Sequence, residues 1–162
     1  MQSPETNPPP FALWKPGEPR VALAAAVEYL SQKPAFARLP FGEWSRILVN
    51  QAQRGHSLFV VDPQQGRVRG FLGWALTNRA CAEDWLAGRR GLTNEQCREG
   101  EMLVINAFAS ESPEASLFLI EAGRQIFAPQ KAVYFKRFYA DGRVRSSRVA
   151  IHEMSGIAGA RR

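Results

Sequence analysis

Few side chains in this sequence can transfer a proton or bind a metal ion near neutral pH. His56 and His152 are the only histidines, and Cys81 and Cys97 are the only cysteines. The histidines form no HxxxH or HExxH pattern, and the cysteines are too far apart for CxxC chemistry. No metal site is therefore expected, and the cysteines are expected to be free thiols in a reducing compartment.

Positive charge is concentrated near the C-terminus. After residue 130 there are eight basic residues against two acidic ones, which accounts for the whole formal net charge of +6. Such a segment attracts an acidic partner, which could be a nucleic acid, an anionic membrane surface, a phosphorylated cofactor or an acidic protein. The alternative is a solvated strand and tail without a partner. The basic residues are Lys131, Lys136, Arg137, Arg143, Arg145, Arg148, Arg161 and Arg162.

The elements that must position these groups are organised around one hairpin. The sequence predicts two strands, SLFVV and RVRGFLGWAL, joined by a turn at Asp62, Pro63 and Gly66. The first strand is apolar almost throughout, as a strand covered on both faces would be, so the hairpin is expected at the centre of a sheet. Gly70 and Gly73 leave gaps where backbone or a ligand could come close. The alternative is a plain core hairpin.

The rest of the chain predicts one α/β domain. Residues 1–20 contain six prolines, too many for a helix or a sheet, and predict an extended arm. A domain over residues 21–152 is expected to form a mixed, mostly antiparallel sheet flanked by helices, followed by a basic flexible tail over 153–162. The sequence has no run of 18 apolar residues and no secretion signal, which favours a soluble, cytoplasmic protein. Helices are predicted over 20–32, 41–54, 80–87 and 111–127, and further strands over 101–109, 131–139 and 143–151.

This order of elements resembles the acetyltransferase-like GNAT fold. Within that fold, residues 26–148, about three quarters of the chain, resemble the RTX toxin-activating lysine acyltransferases. The matching features are SQKP at 31–34 with Pro40 downstream, the FLGWALTN block, WLAG at 85–88 and the final basic strands. The resemblance implies transfer of a fatty acyl group from acyl carrier protein to a lysine of a protoxin-like partner protein, with no tightly bound cofactor.

Two residues depart from the pattern of that family. Phe36 stands where the family has a catalytic histidine, and Asn106 where it has an aspartate; neither can accept a proton at neutral pH. A lysine amine has a pKa of about 10.4, so it needs a base or a lowered pKa to act as a nucleophile. The remaining base candidates are His56 and Glu101, and Asn106 could orient a carbonyl or an amide. The alternatives are a capping or surface role for His56 and a buried, backbone-bonded role for Asn106.

Binding of an acyl donor is better supported than catalysis. Four aromatic residues are expected to line a groove for a fatty acyl chain, where each buried CH₂ contributes about 0.8 kcal/mol. Acyl carrier protein is acidic and suits the basic strands, whereas coenzyme A suits the chain less, because ASESPE at 109–114 lacks phosphate-cradling glycines and carries two glutamates. The groove residues are Phe36, Phe71, Trp74 and Phe108, and the basic residues for the carrier are Lys136, Arg137, Arg143 and Arg145.

Two functions of different class remain open. The first is an acyltransferase with a rearranged base, and the second is a non-catalytic GNAT-like binding module for an acidic protein or an acyl carrier. Nucleic-acid binding through the basic, aromatic C-terminal strands is a weaker alternative, because aromatic residues on strands usually belong to the core. The oligomeric state, including a homodimer, is also open.

Overall fold

The computed structural model describes residues 10–139 and 141–152. The strands are β1 (Ala12–Trp14), β2 (Ser57–Asp62), β3 (Arg67–Thr77), β4 (Met102–Ser110), β5 (Ala132–Phe138) and β6 (Val144–Ala150). The helices are α1 (Pro19–Ser31), α2 (Pro34–Ala37), α3 (Phe41–Arg54), α4 (Arg79–Leu86) and α5 (Pro113–Ile126), with a 3-10 turn at Glu95–Cys97. The six strands form one sheet in chain order, antiparallel throughout except for the parallel pair β4 and β5. The predicted fold class, a mixed and mostly antiparallel sheet flanked by helices, is confirmed.

The predicted hairpin, β2 and β3, lies in the interior of the sheet. Asp62 Oδ1 accepts hydrogen bonds from the backbone N–H groups of Gln64 and Gln65, which fixes the turn between the two strands. Phe59 and Val60 of β2 are both fully buried although they point to opposite faces. An apolar strand covered on both sides is what the sequence predicted.

Helices cover the two faces of the sheet unequally. On the first face, α1 and α3 pack on Phe59 and Phe71, and α4 packs on a neighbouring cluster that contains Tyr134. On the second face, α5 packs on Leu72 and Trp74. The two faces are called the α3 face and the α5 face below. Among the described helices, none is both long and apolar enough to cross a membrane.

Two elements differ from the sequence prediction. Residues 12–14 of the predicted arm form β1, which pairs with β2 and brings Trp14 within 5.2 Å of Phe59, measured between ring centroids. Five proline-free residues, 11–15, are enough for this short strand, so the arm takes part in the sheet. The predicted loop at 33–40 contains the single-turn helix α2. The predicted tail over 153–162 lies outside the described residues.

Candidate functional site

The strands β4 and β5 separate partway along their length. They run parallel, and their last pair joins Ile105 to Phe135. Beyond that pair both strands continue unpaired with each other, β4 for five residues and β5 for three. The resulting β4–β5 opening begins between Asn106 on one side and Lys136 on the other. A break in a sheet of this kind leaves backbone groups and side chains accessible to a ligand.

Asn106 is the extra residue of a β-bulge at the start of the opening. Gly73 pairs with Ala107 and Trp74 pairs with Ile105, which leaves Asn106 without a partner in β3. A bulge of this kind bends its strand and re-aims the side chain of the extra residue. Asn106 is only partly buried, which differs from the alternative of a buried asparagine bonded to neighbouring backbone.

Gln51 of α3 places a buried amide against this bulge. Its Nε2 donates a hydrogen bond to Asn106 Oδ1. The side chain also lies over Gly73, where an added Cβ would be 2.5 Å from Gln51 Oε1. The gap expected at Gly73 is therefore filled by Gln51 instead of being open to a ligand. Gln51 Oε1 itself is buried without a hydrogen-bond partner among the described residues, a state that typically costs about 1–3 kcal/mol.

The sequence analysis did not single out Gln51. It follows Trp44 and Leu48 at helical spacing, so it lies on the apolar side of an amphipathic helix. A polar residue at such a position is a signal that sequence inspection could have used.

Tyr134 and Lys136 of β5 lie on the same face as Gln51. Tyr134 is fully buried, and its hydroxyl has no hydrogen-bond partner in the described part of the chain. Lys136 is half-buried, and its Nζ lies 4.5 Å from the centre of the Trp85 ring on α4. Desolvation by burial lowers the pKa of Lys136. The α3 face thus carries a buried carbonyl and a buried phenol that have no hydrogen-bond partner among the described residues, and a partly desolvated amine at the start of the opening.

His56 is held in an environment that disfavours its protonation. Its ring stacks on the Trp74 indole with centroids 5.6 Å apart, and Arg54 Nε donates to His56 Nδ1 over 3.3 Å. Burial first, and then the positive charges of Arg54 and Lys15, lower the pKa of His56 to about 4. His56 is therefore neutral at pH 7 and a weak base for a lysine ammonium group.

His56 and Asn106, the two predicted catalytic residues, are not brought together. The Trp74 ring under His56 packs edge-on against Phe127 on the α5 face, with centroids 4.9 Å apart. Asn106 bonds to Gln51 on the α3 face instead. The other base candidate, Glu101, is exposed and forms an ion pair of 2.8 Å with Lys131. Catalytic roles for these residues stay predictions.

The four aromatic residues predicted to line one groove do not share a surface. Phe36 packs edge-on against Trp44 beside the core cluster that contains Phe71, whereas Trp74 belongs to the cluster on the opposite face. Phe71 and Trp74 are buried, and Phe108 is 39% exposed. The expected single groove is therefore wrong, because Phe71 and Trp74 are three residues apart on β3 and alternation along the strand places them on opposite faces.

Of the predicted basic residues, Lys136 and Arg137 lie on β5 and Arg145 lies on β6, whereas Arg143 lies in the segment that joins the two strands. Arg137 and Arg145 are exposed and directly opposite each other, an arrangement of like charges that is unfavourable without an anion nearby. Arg143 pairs with Asp141 over 2.6 Å, so its charge is partly neutralised. Lys136 also lies on this strand pair, which is called the β5–β6 ribbon below. Three of the four predicted residues therefore give this edge of the sheet a positive charge.

A cluster of ions lies in front of α5, at the end of β4. Arg69 donates to the Glu111 carboxylate over 2.7 Å, and Lys33 and Arg67 lie 3.6 and 3.8 Å from it. The hydrogen bond from Arg69 lowers the pKa of Glu111 below its usual value. The sequence predicted that the glutamates at this helix start would repel an anion. In the structure, Glu111 also pairs with three basic side chains from two other segments.

The first turn of α5 has few free backbone donors. Pro113 has no N–H group, and Ser112 Oγ accepts from the N–H of Ala115 over 3.1 Å. Anion binding at a helix start depends on such N–H groups. The start of α5 therefore has few backbone N–H groups available to bind an anion.

Comparison with solved structures identifies proteins with a similar fold. A GNAT-like decarboxylase, GphF in complex with isobutyryl-CoA, superposes with a TM-score of 0.50 at 14% sequence identity, covering 80% of this chain and 67% of that one. The fold is GNAT-like. A ligand-free variant of an agmatine N-acetyltransferase gives a TM-score of 0.47 at 9% identity, covering 82% of this chain and 78% of that one. No protein-family model matches the sequence, and no curated protein matches it. These comparisons show the fold; the finer resemblance to toxin activators stays a prediction.

Proposed function

We propose that this GNAT-like protein binds a fatty acyl group carried by acyl carrier protein. The acyl chain would enter the β4–β5 opening, and the carrier would contact β5 and β6. The observation that carries the proposal is the ion cluster in front of α5. Glu111 already pairs with Arg69, Lys33 and Arg67, and the helix start offers few donors, so the pyrophosphate of coenzyme A would have to compete with this carboxylate and find few N–H groups. A carrier-bound acyl group has no pyrophosphate and does not need that site.

The charge of the β5–β6 ribbon supports an acidic carrier. Arg137 and Arg145 lie opposite each other beside the opening, and both are exposed. An acidic surface placed over them would remove their mutual repulsion and speed the encounter of the two proteins. Complementary charge of this kind supports a protein partner more directly than a neutral ligand.

Exposed aromatic rings on both separated strands support an apolar ligand. Phe108 of β4 is 39% exposed, and Phe138 of β5 is 69% exposed and pairs with the half-exposed Val144. Large apolar groups left in water favour a ligand that covers them, at about 25 cal/mol per Å² of apolar surface removed from water. Phe138 and its partner Val144 share the α3 face with Lys136 and form the apolar part of the proposed site there, whereas Phe108 pairs with Leu72 and lies on the α5 face.

Transfer of the acyl group to a lysine of a protoxin-like partner is the second candidate function. Asn106 favours it, because this partly buried residue stands at the start of the opening, where its amide could orient a thioester or an incoming amine. The neutral, weakly basic His56 argues against it, because its conjugate acid is far more acidic than a lysine ammonium group. Binding without transfer to an external lysine is therefore the preferred form of the proposal.

Native mass spectrometry with palmitoyl acyl carrier protein tests the proposal. We expect a one-to-one complex that palmitoyl-CoA does not displace. The double variant Arg137→Glu/Arg145→Glu should bind about tenfold more weakly, equivalent to 1.4 kcal/mol. Arg46→Glu, which changes an exposed arginine on α3, is the matched control and should bind like the natural chain.

The outcomes separate the two functions. A complex that releases free carrier only when a lysine-bearing acceptor protein is added would favour transfer. A complex that is unaffected by the acceptor protein supports binding without transfer to an external lysine. Displacement by palmitoyl-CoA at equal concentration, or no complex at all, would overturn the proposed function.

A further inference from the structure

Lys136 occupies a distinctive position on β5. Its neighbour Phe135 makes the last pair with β4, so Lys136 is the first residue on its side of the β4–β5 opening. Along β4, the corresponding first residue is the bulged Asn106. A ligand that enters the opening on the α3 face therefore passes between these two side chains.

The surroundings of the Lys136 amine differ from those of an ordinary surface lysine. No carboxylate of the described residues forms an ion pair with it; its contact is the Trp85 ring, 4.5 Å from Nζ. The ring attracts the ammonium form, typically by about 0.5–1 kcal/mol at exposed sites. Desolvation by burial works in the other direction and lowers the pKa of Lys136.

The other three lysines of the chain lack this combination. Lys33 pairs with Glu111 and Lys131 pairs with Glu101, so each has a carboxylate partner. Lys15 is exposed and lies 5.6 Å from the centre of the Trp74 ring, away from the opening. Only Lys136 among them is both at the opening and half-buried without a carboxylate.

We propose that Lys136 is itself an acyl acceptor, and that the protein acylates its own Nζ from a fatty acyl thioester. The neutral amine attacks the thioester carbonyl carbon, so that a C–N bond forms while the C–S bond breaks. The carrier's thiolate leaves and takes up the proton that the nitrogen loses, which gives an amide and a free thiol. The step needs no external base, because a desolvated lysine is deprotonated more readily than a free one.

This inference rests on the proposed binding of acyl carrier protein for its natural donor. The chemistry at Lys136 can nevertheless be separated from carrier recognition with a small thioester, the octanoyl thioester of N-acetylcysteamine. That reagent presents the same carbonyl–sulfur bond without a carrier protein. Two donors, one with the carrier and one without, therefore test the two proposals independently.

The experiment incubates the full chain with each donor and records its intact mass, followed by peptide mapping of the acylated lysine. We expect one acyl group, resistant to hydroxylamine as an amide must be, on Lys136 with both donors. Lys136→Arg keeps the positive charge and should abolish the adduct, whereas Lys131→Arg should leave it unchanged. The pH midpoint of acylation at Lys136 should also lie below that of the same lysine in an unfolded peptide.

The possible results are distinct. Acylation of Lys136 by the small thioester alone would keep this inference and overturn the role of acyl carrier protein. A stable carrier complex with no adduct on Lys136 from either donor would overturn self-acylation and leave the proposed function standing. Equal labelling of all four lysines would show non-selective chemistry and would also overturn the inference.

Discussion

The side-chain amide of Gln51 occupies the space that Gly73 leaves on the α3 face of the sheet. A Cβ added at Gly73 would lie 2.5 Å from Gln51 Oε1 and 2.8 Å from Gln51 Nε2. Gln51 is only 1% exposed and its Nε2 bonds to Asn106, so the amide cannot move aside into water. The absence of a side chain at Gly73 therefore allows Gln51 of α3 to bond to the bulged residue of β4.

Gly73→Ala should displace the Gln51 amide and break its hydrogen bond to Asn106. We expect the free energy of unfolding to fall by about 1–3 kcal/mol, the usual cost of overpacking a core. Urea unfolding measures the change. Gly17→Ala, where nothing lies within 4 Å of the added Cβ, is the control and should be near neutral. Adding Gln51→Ala to Gly73→Ala should make room for the methyl group; a double variant no better tolerated than the sum of the singles would contradict this contact.

His56 should make stability depend on pH between about 4 and 6.5. Its folded-state pKa of about 4 lies below the ordinary value of 6.5, so in this window the unfolded chain binds a proton that the folded chain does not. Stability should therefore fall as pH falls through 6.5, by about 1–2 kcal/mol at pH 5. No contribution is expected above pH 7, where both states are neutral.

The His56→Phe variant isolates this effect. It keeps an aromatic ring over Trp74 and removes the titrating group. Urea unfolding of both proteins at pH 7.5 and pH 5 gives the comparison. The carboxylates contribute equally to both proteins, so the difference between the two pH dependences belongs to His56. Parallel pH profiles would show that His56 titrates normally.

Glu111→Gln should turn the cluster in front of α5 into an anion site. The substitution leaves Arg67, Arg69 and Lys33 without their shared carboxylate. We expect a loss of about 1 kcal/mol in unfolding free energy, because the carboxylate is partly exposed and its pairs are screened. In return, inorganic pyrophosphate should raise the melting temperature of the variant and leave that of the natural chain unchanged.

Glu121→Gln serves as its control. It removes a carboxylate from an exposed part of the same helix and should produce no response to pyrophosphate. Equal stabilisation of the natural chain and Glu111→Gln by pyrophosphate would show that Glu111 does not prevent an anion from binding here. The argument against coenzyme A as the donor would then fail.

Gly100→Ala should be the most destabilising of these glycine changes. An added Cβ would lie 2.1 Å from the backbone oxygen of Thr77, and the residue has a φ of +149°. Backbone cannot yield as a side chain can, so we expect a loss of more than about 3 kcal/mol. Thermal unfolding measures it against Gly91→Ala, a nearby position with nothing within 4 Å of the added Cβ. A loss no larger than that of Gly91→Ala would show that the segment shifts freely away from β3.

The helices and strands of this chain were largely predictable because local patterns encode them. The apolar run SLFVV, the turn at Asp62 and Gly66 and the Ser112–Pro113 helix start each act within a few residues of one another. The GNAT-like order of elements followed from them. By contrast β1 was missed, because three residues gain strand structure only from pairing with β2.

The candidate site was predictable only in part. Asn106, Lys136 and the basic ribbon were singled out from sequence and do lie at or beside the opening. The aromatic groove could have been rejected from sequence, because Phe71 and Trp74 are three residues apart on one strand and alternation places them on opposite faces. What the sequence could not show is the bulge at Asn106. No local pattern reports a bulge of one residue.

The sequence by itself therefore determined the elements, the positive charge of the C-terminal strands and the poor fit of the α5 start to a phosphate. Three features were decided only by the tertiary structure. Gln51 contacts Gly73 and bonds to Asn106, and β4 and β5 separate beside Lys136. The third is the set of ion pairs that Glu111 forms with Lys33, Arg67 and Arg69. The reason is physical: helix and turn preferences are set by neighbouring residues, whereas these contacts join segments more than 20 residues apart and form only when the whole sheet is packed.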